Sequence, residues 1–184
     1  MKSFFLIFIM FSSFVYSQNN EIEIITLVNK NIVPFLEKIP KNQEYQFGFH
    51  QRSDFSKCIS ERPIQVLTLN NKNKIVKQLI WRVPVSLYGK NKILFTVIFK
   101  DNKFVIVDIG GAKLAQELQS FQKEKKLYLL RLYSHAIDFI THSSSEDSFL
   151  MKFYPLKSAQ LFLQNKNLEK KSSFNIHEIL SLIK

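Results

Sequence analysis

Between Trp81 and Ile109 apolar residues recur at every second position over long stretches, and a period of two restricts this part of the chain to sheet strands with at least one buried face. Trp81, Val83, Val85 and Leu87 alternate with Arg82, Pro84, Ser86 and Tyr88. Pro84 has no N–H to give a neighbour, which predicts an edge strand or a bulge at that point. Gly89-Lys90-Asn91-Lys92 reads as a turn. In the next strand Ile93, Phe95, Val97 and Phe99 share one face; Leu94, Thr96, Ile98 and Lys100 share the other, whose mostly apolar character predicts partial cover. Asp101-Asn102 reads as a two-residue hairpin loop, and Phe104 to Ile109 as a third strand. Gly110-Gly111 breaks that strand, and Leu114, Ala115, Leu118 and Phe121 then follow at helical spacing. The glycine pair lacks the further glycines or the Lys-Ser/Thr step of a nucleotide fingerprint, so it reads as a strand-to-helix turn.

Elsewhere the pattern mixes helices and strands. Ile24, Val28, Ile32, Phe35 and Ile39 form a helical stripe, with Pro34 predicting a kink or two shorter pieces. Tyr45 to Phe49 reads as a short strand and Pro63 to Leu69 as a longer one. After a charged linker at Gln122 to Lys126, strands are predicted at Leu127 to Tyr133, His135 to Thr141 and Phe149 to Tyr154. Pro155 is expected to open a helix, and Asn175 with Glu178 to cap a last one bearing Ile176, Ile179, Leu180 and Ile183. The fold class predicted is α+β, an antiparallel meander around residues 63–109 packed against several helices.

Met1-Lys2, the apolar run from Phe4 to Tyr16 and the exit at Ser17 have the three parts of a secretory signal. The run is shorter than the roughly 20 apolar residues that span a bilayer. We therefore expect a signal over residues 1–17, cut between Ser17 and Gln18, and one α+β domain over 18–184, secreted or periplasmic, with no transmembrane span after cleavage. The single cysteine, Cys58, excludes an internal disulfide and is expected to be buried.

A net charge of +11 directs attention to polyanions and anionic membranes. The densest run is Lys72, Lys74 and Lys77, with Lys90 and Lys92 close by in sequence. Only Arg52, Arg62, Arg82 and Arg131 supply the planar fork that phosphate recognition favours. Lysine, asparagine, isoleucine and phenylalanine all have AT-rich codons, so base composition explains much of the excess.

Catalytic residue types gather in sequence only at His135, Asp138, His142, Ser143 to Ser145, Glu146 and Asp147. No nucleophile there has a fixed base, and neither an H-x-x-x-H nor a C-x-x-C spacing occurs to hold a metal. A pairing of Cys58 with His50 has nothing to fix it. The expectation is an exported, non-catalytic module that engages an envelope or secreted protein and needs no cofactor or metal. A lysine-mediated polyanion binder is the alternative, and a secreted hydrolase a more distant one.

Overall fold

The computed structural model describes residues 20–122, 126–142, 151–168 and 171–183. The expected signal with its cut, and the serine-rich acidic stretch at 143–148, lie outside them. Residues 20–36 form helix α1, which continues through Pro34 instead of dividing there. The proline stands in the last turn, and the carbonyl that loses its N–H partner belongs to exposed Lys30, where water can take the place of the lost bond. Tyr45 to Phe49 is not a strand. Glu44–Phe47 is a 3-10 turn ended by Gly48 at φ 81. The Arg52 guanidinium decides this by donating to Glu44 Oε1 at 2.8 Å, Ile39 O at 2.8 Å and Glu37 O at 2.7 Å, which ties the turn to the end of α1.

Among the described residues, eight strands then build one open, mostly antiparallel sheet: β1 (Ile59–Ser60), β2 (Ile64–Leu69), β3 (Ile75–Leu87), β4 (Lys90–Lys100), β5 (Lys103–Gly110), β6 (Leu127–Leu132), β7 (Ile137–His142) and β8 (Phe153–Pro155). Their order is β5-β4-β3-β2-β6-β7-β8, with β1 on β3. The meander around residues 63–109 is therefore present as β2 to β5. It is joined to the later strands by a parallel pair, β2 with β6, in the register Val66 to Leu129. His135 falls in the turn before β7, and Pro155 closes β8 instead of opening the helix that follows. Helix α2 is Ala112–Leu118, α3 is Lys157–Gln164 and α4 is Ile176–Leu182. Asn175 caps α4 as expected, its side chain accepting from Glu178 N at 3.0 Å while Glu178 accepts from Asn175 N at 2.9 Å.

Two of the turns are two-residue hairpins with both residues left-handed, the geometry that matches strand twist. Asp101 and Asn102 take φ 51 and 58 as expected. The other is Tyr88-Gly89 at φ 52 and 71, so Lys90, Asn91 and Lys92 belong to β4 and not to a turn. Pro84 sits in an interior strand, not at an edge. Its carbonyl accepts from Glu61 N at 2.8 Å, on the side where β3's neighbour changes from β1 to β2, so its missing donor falls in a gap in the ladder. The bulge is one step further on, between Val85 and Ser86.

The two faces of the sheet are covered unequally. On one face, Trp81, Val83, Val85, Ile93, Phe95 and Val97 pack under Ile24, Val28, Ile32 and Leu36 of α1. Register carries that face on to Leu67, Tyr128, Leu130 and Phe139, which pack with Ala159 and Leu163 of α3 and Ile176 and Ile179 of α4. On the opposite face, Ile64, Leu94, Leu129 and Ile140 pack with Ala115 and Leu118 of α2. Buried Asn91 pins α2: its Nδ2 donates to Ala115 O at 3.0 Å, its N–H to Gln119 Oε1 at 2.6 Å, and its Oδ1 accepts from Gln122 Nε2 at 2.6 Å. With 7 residues, α2 is only about 10 Å long. β3, with 13 residues, runs roughly 40 Å. Further along the second face Val76, Gln78, Ile80, Ile98 and Val105 are half-exposed, and no helix covers them among the described residues.

The glycine pair before α2 separates into two roles. Gly111 has φ 66, and a Cβ there would meet Leu94 Cδ1 at 3.4 Å; Gly110 has neither constraint. Gly111→Ala is expected to lower stability by about 1–2 kcal/mol because an L-residue is strained in that region. Gly110→Ala is expected to change it by less than about 0.5 kcal/mol. Urea denaturation of the two variants measures the contrast.

Candidate functional site

Where α2 ends, the second face of the sheet changes from apolar to polar. Arg82 of β3 pairs across the ladder with Thr96 of β4, and Thr96 with Asp108 of β5. On the other side Arg82 stands opposite Ile64 of β2, whose parallel partner β6 brings Arg131 onto the same face, and Arg131 pairs with Asp138 of β7. Five strands thus supply one band of polar side chains, each at an alternate position of its strand.

Arg82 Nη1 donates to Thr96 Oγ1, while Arg82 Nε is buried without a hydrogen-bond partner among the described residues. Arg131 Nη1 reaches both oxygens of Asp138, at 3.3 and 3.2 Å, an end-on contact from a single nitrogen rather than a two-nitrogen fork. Its guanidinium carbon lies 5.6 Å from the centre of the exposed Tyr133 ring. The Asp138 backbone is fixed from outside the sheet: its N–H donates to Ser158 Oγ at 3.0 Å, and its carbonyl accepts from Leu156 N at 3.0 Å. Thr68 Oγ1 donates to Arg131 O at 3.1 Å.

The electrostatics follow from partial burial. Burial, then the like charge of Arg131, holds the Arg82 pKa below the usual arginine value, although a guanidinium keeps its proton. Burial raises the Asp138 carboxyl; Arg131 and Arg82 pull it back down, and Glu117 pushes it up. Glu117 is itself engaged, accepting from Lys157 N at 2.9 Å at the start of α3. The arrangement leaves the Arg82 Nε donor without an acceptor among the described residues. Asp138 is already occupied as a counter-ion.

The lysines singled out in the sequence do not converge. Lys72 and Lys74 lie in the β2–β3 turn, their N–H groups bonded to Asn70 Oδ1 at 2.9 and 3.0 Å. Lys77 extends over the Tyr128 ring at 5.7 Å on the α3 side of the sheet. Lys90 and Lys92 are at the far end of β3, roughly 40 Å away by strand length.

The catalytic candidates among the described residues lie as follows. His135 lies in a turn, with Nδ1 at 2.8 Å from Ser134 Oγ. His142 ends β7 between the rings of Phe121 and Tyr154. Cys58 belongs to the core under α1, while His50 is exposed. No three His, Cys, Asp or Glu side chains gather to hold a metal among the described residues. A depression lined by Glu61, Arg62, Pro63, Ile64, Pro84, Gln122 and Leu127 encloses about 40 Å³, far below the several hundred that a small-molecule site needs.

The sequence sets Asp138 among the catalytic residue types and Arg82 and Arg131 among the four arginines, but nothing in it brings them onto one face with Asp108. Their available signal was a polar residue at the outward position of a strand, repeated in strand after strand. No protein-family model, curated protein or solved structure matches the chain.

Burial, followed by the charge of Asp54, pushes the Cys58 thiol up to about 11. At pH 8 its thiolate fraction is then about 100-fold below that of a thiol titrating near 9. Alkylation by iodoacetamide, followed by mass spectrometry, is expected to be slow in the folded chain and to accelerate by at least that factor in denaturant.

Proposed function

We propose that the protein is an exported, non-catalytic interaction module, and that its recognition surface is the part of the second sheet face that α2 leaves bare. The observation carrying this reading is the mismatch between a 7-residue helix and the face it lies on. Beyond α2, half-exposed Val76, Ile80, Ile98 and Val105 surround a band containing two arginines. Its occupant is a segment of a partner protein that combines apolar side chains with acidic ones. The β-branched residues gain by losing contact with water, at roughly 25 cal/mol per Å² of apolar area, and the guanidinium groups gain by finding acceptors.

The edges of the sheet support a face over an edge as the surface. β5 carries a bulge at Val107, where Thr96 pairs with Asp108 but Val97 pairs with Ile106. β8 is only 3 residues long. Bulged and short edges resist the addition of another strand. The lysines divided between the two ends of β3 support a polyanion surface less well.

A photo-crosslinking residue at position 98 or 105, in the full chain expressed in its own cells, is expected to give a discrete protein adduct. The same residue at exposed Leu161 of α3 is expected to give none. Adducts from position 161 alone, or none from 98 and 105, end this reading. Export carries its own check: mass spectrometry of the protein released from the cytoplasm is expected to find Gln18 as its first residue, and an intact Met1 would refute cleavage.

A further inference from the structure

Arg82 is the guanidinium on this face whose hydrogen bonding is least complete for its depth. Thr96 occupies Nη1, and the Nε donor on the opposite side of the group is buried and unmatched among the described residues. A buried donor without an acceptor costs about 1–3 kcal/mol. Asp138 does not remove that cost, because both its oxygens lie on Arg131 Nη1. Arg131 is close enough for its charge to act on Arg82. Asp138, held on Arg131, and Asp108, whose charge acts on Arg82, already balance the two guanidinium groups, so what this half-apolar face lacks is an acceptor for the Arg82 donor.

Resting on the sheet face being the recognition surface, we propose that Arg82 and Arg131 together seat one carboxylate from an acidic side chain of the partner polypeptide. The edge of the Arg82 guanidinium turned away from Thr96 presents Nε and Nη2, the two-nitrogen fork that matches a carboxylate. A singly charged carboxylate meets less repulsion from Asp138, Asp108 and Glu117 than a doubly charged phosphate does. Nε lies under the surface in the unliganded chain, so seating the carboxylate turns the Arg82 side chain toward the open face, and its own resonance reports the event.

The chain has four arginines, Arg52, Arg62, Arg82 and Arg131, so its Nε–H signals form a small set in a nitrogen-15 correlation spectrum. The probes are a nine-residue peptide alternating valine and glutamate, the same peptide with glutamine for glutamate, and inorganic phosphate, all at one ionic strength. The glutamate peptide is expected to shift the Arg82 and Arg131 signals saturably and the glutamine peptide to leave them in place. Arg82→Lys keeps the charge but not the fork and is expected to weaken the glutamate peptide about 10-fold, with Arg131→Lys as a second variant if the first melts early. If both peptides move the backbone amides of Ile80 and Ile98 while the arginine signals stay still, the carboxylate anchor is overturned and the surface stands. If nothing moves, the surface falls with it. Tighter binding of phosphate than of the glutamate peptide also overturns the proposal.

Discussion

Buried Asn91 can satisfy its polar atoms only because α2 lies across it. Its amide, its backbone N–H and its side-chain oxygen are matched by Ala115 O, Gln119 and Gln122 in turn, and Gln119 Nε2 also donates to Gly89 O at 2.8 Å. An unmatched amide at that depth is costly, so the helix is fixed at one end of the sheet. Gly111 fixes its other end through a left-handed backbone packed against Leu94. A 7-residue helix held at both ends cannot spread over the rest of a long face. The polar band and the half-exposed aliphatic residues beyond it follow from where that helix stops.

The band also shows how charge is accommodated inside a sheet. The Arg131 and Asp138 side chains are 25% and 7% exposed, so their attraction is screened less than in a surface pair, and each also bears a desolvation cost. Arg82 has the cost without an ion partner in hydrogen-bond contact among the described residues. By contrast Arg62 and Glu21, 2.9 Å apart but 54% and 41% exposed, form a surface pair of the kind that contributes little.

Much of this architecture was legible locally. Alternation between residues 81 and 109 suffices for three strands because each side chain's burial is decided by its own strand. The capping pair Asn175 and Glu178 and the hairpin at Asp101-Asn102 are likewise fixed by neighbours in sequence. Tyr88-Gly89 is harder to see, since a tyrosine rarely takes positive φ and does so here because the strands on either side demand that turn. Tyr45 to Phe49 was misread because five residues cannot separate a strand from a tight turn, and Arg52, outside the segment, settles the matter. The polar band was least legible. Arg82, Asp108, Arg131 and Asp138 each resemble an ordinary solvent-facing strand residue, and they share a face only once β2 is known to run parallel to β6.

That parallel pair also governs how the chain acquires its shape. β2 has β3 on one side and β6 on the other, and the partners Val66 and Leu129 are separated by the whole of the β3–β5 meander and α2. The hairpins of the first half close short loops and can form early, whereas zipping β6 onto β2 waits on a long-range encounter whose entropy cost is met before any contact rewards it. A nascent chain that has emerged only as far as α2 therefore holds β2 with one row of backbone donors and acceptors unclaimed. That row is closed only when the second half of the sequence supplies β6.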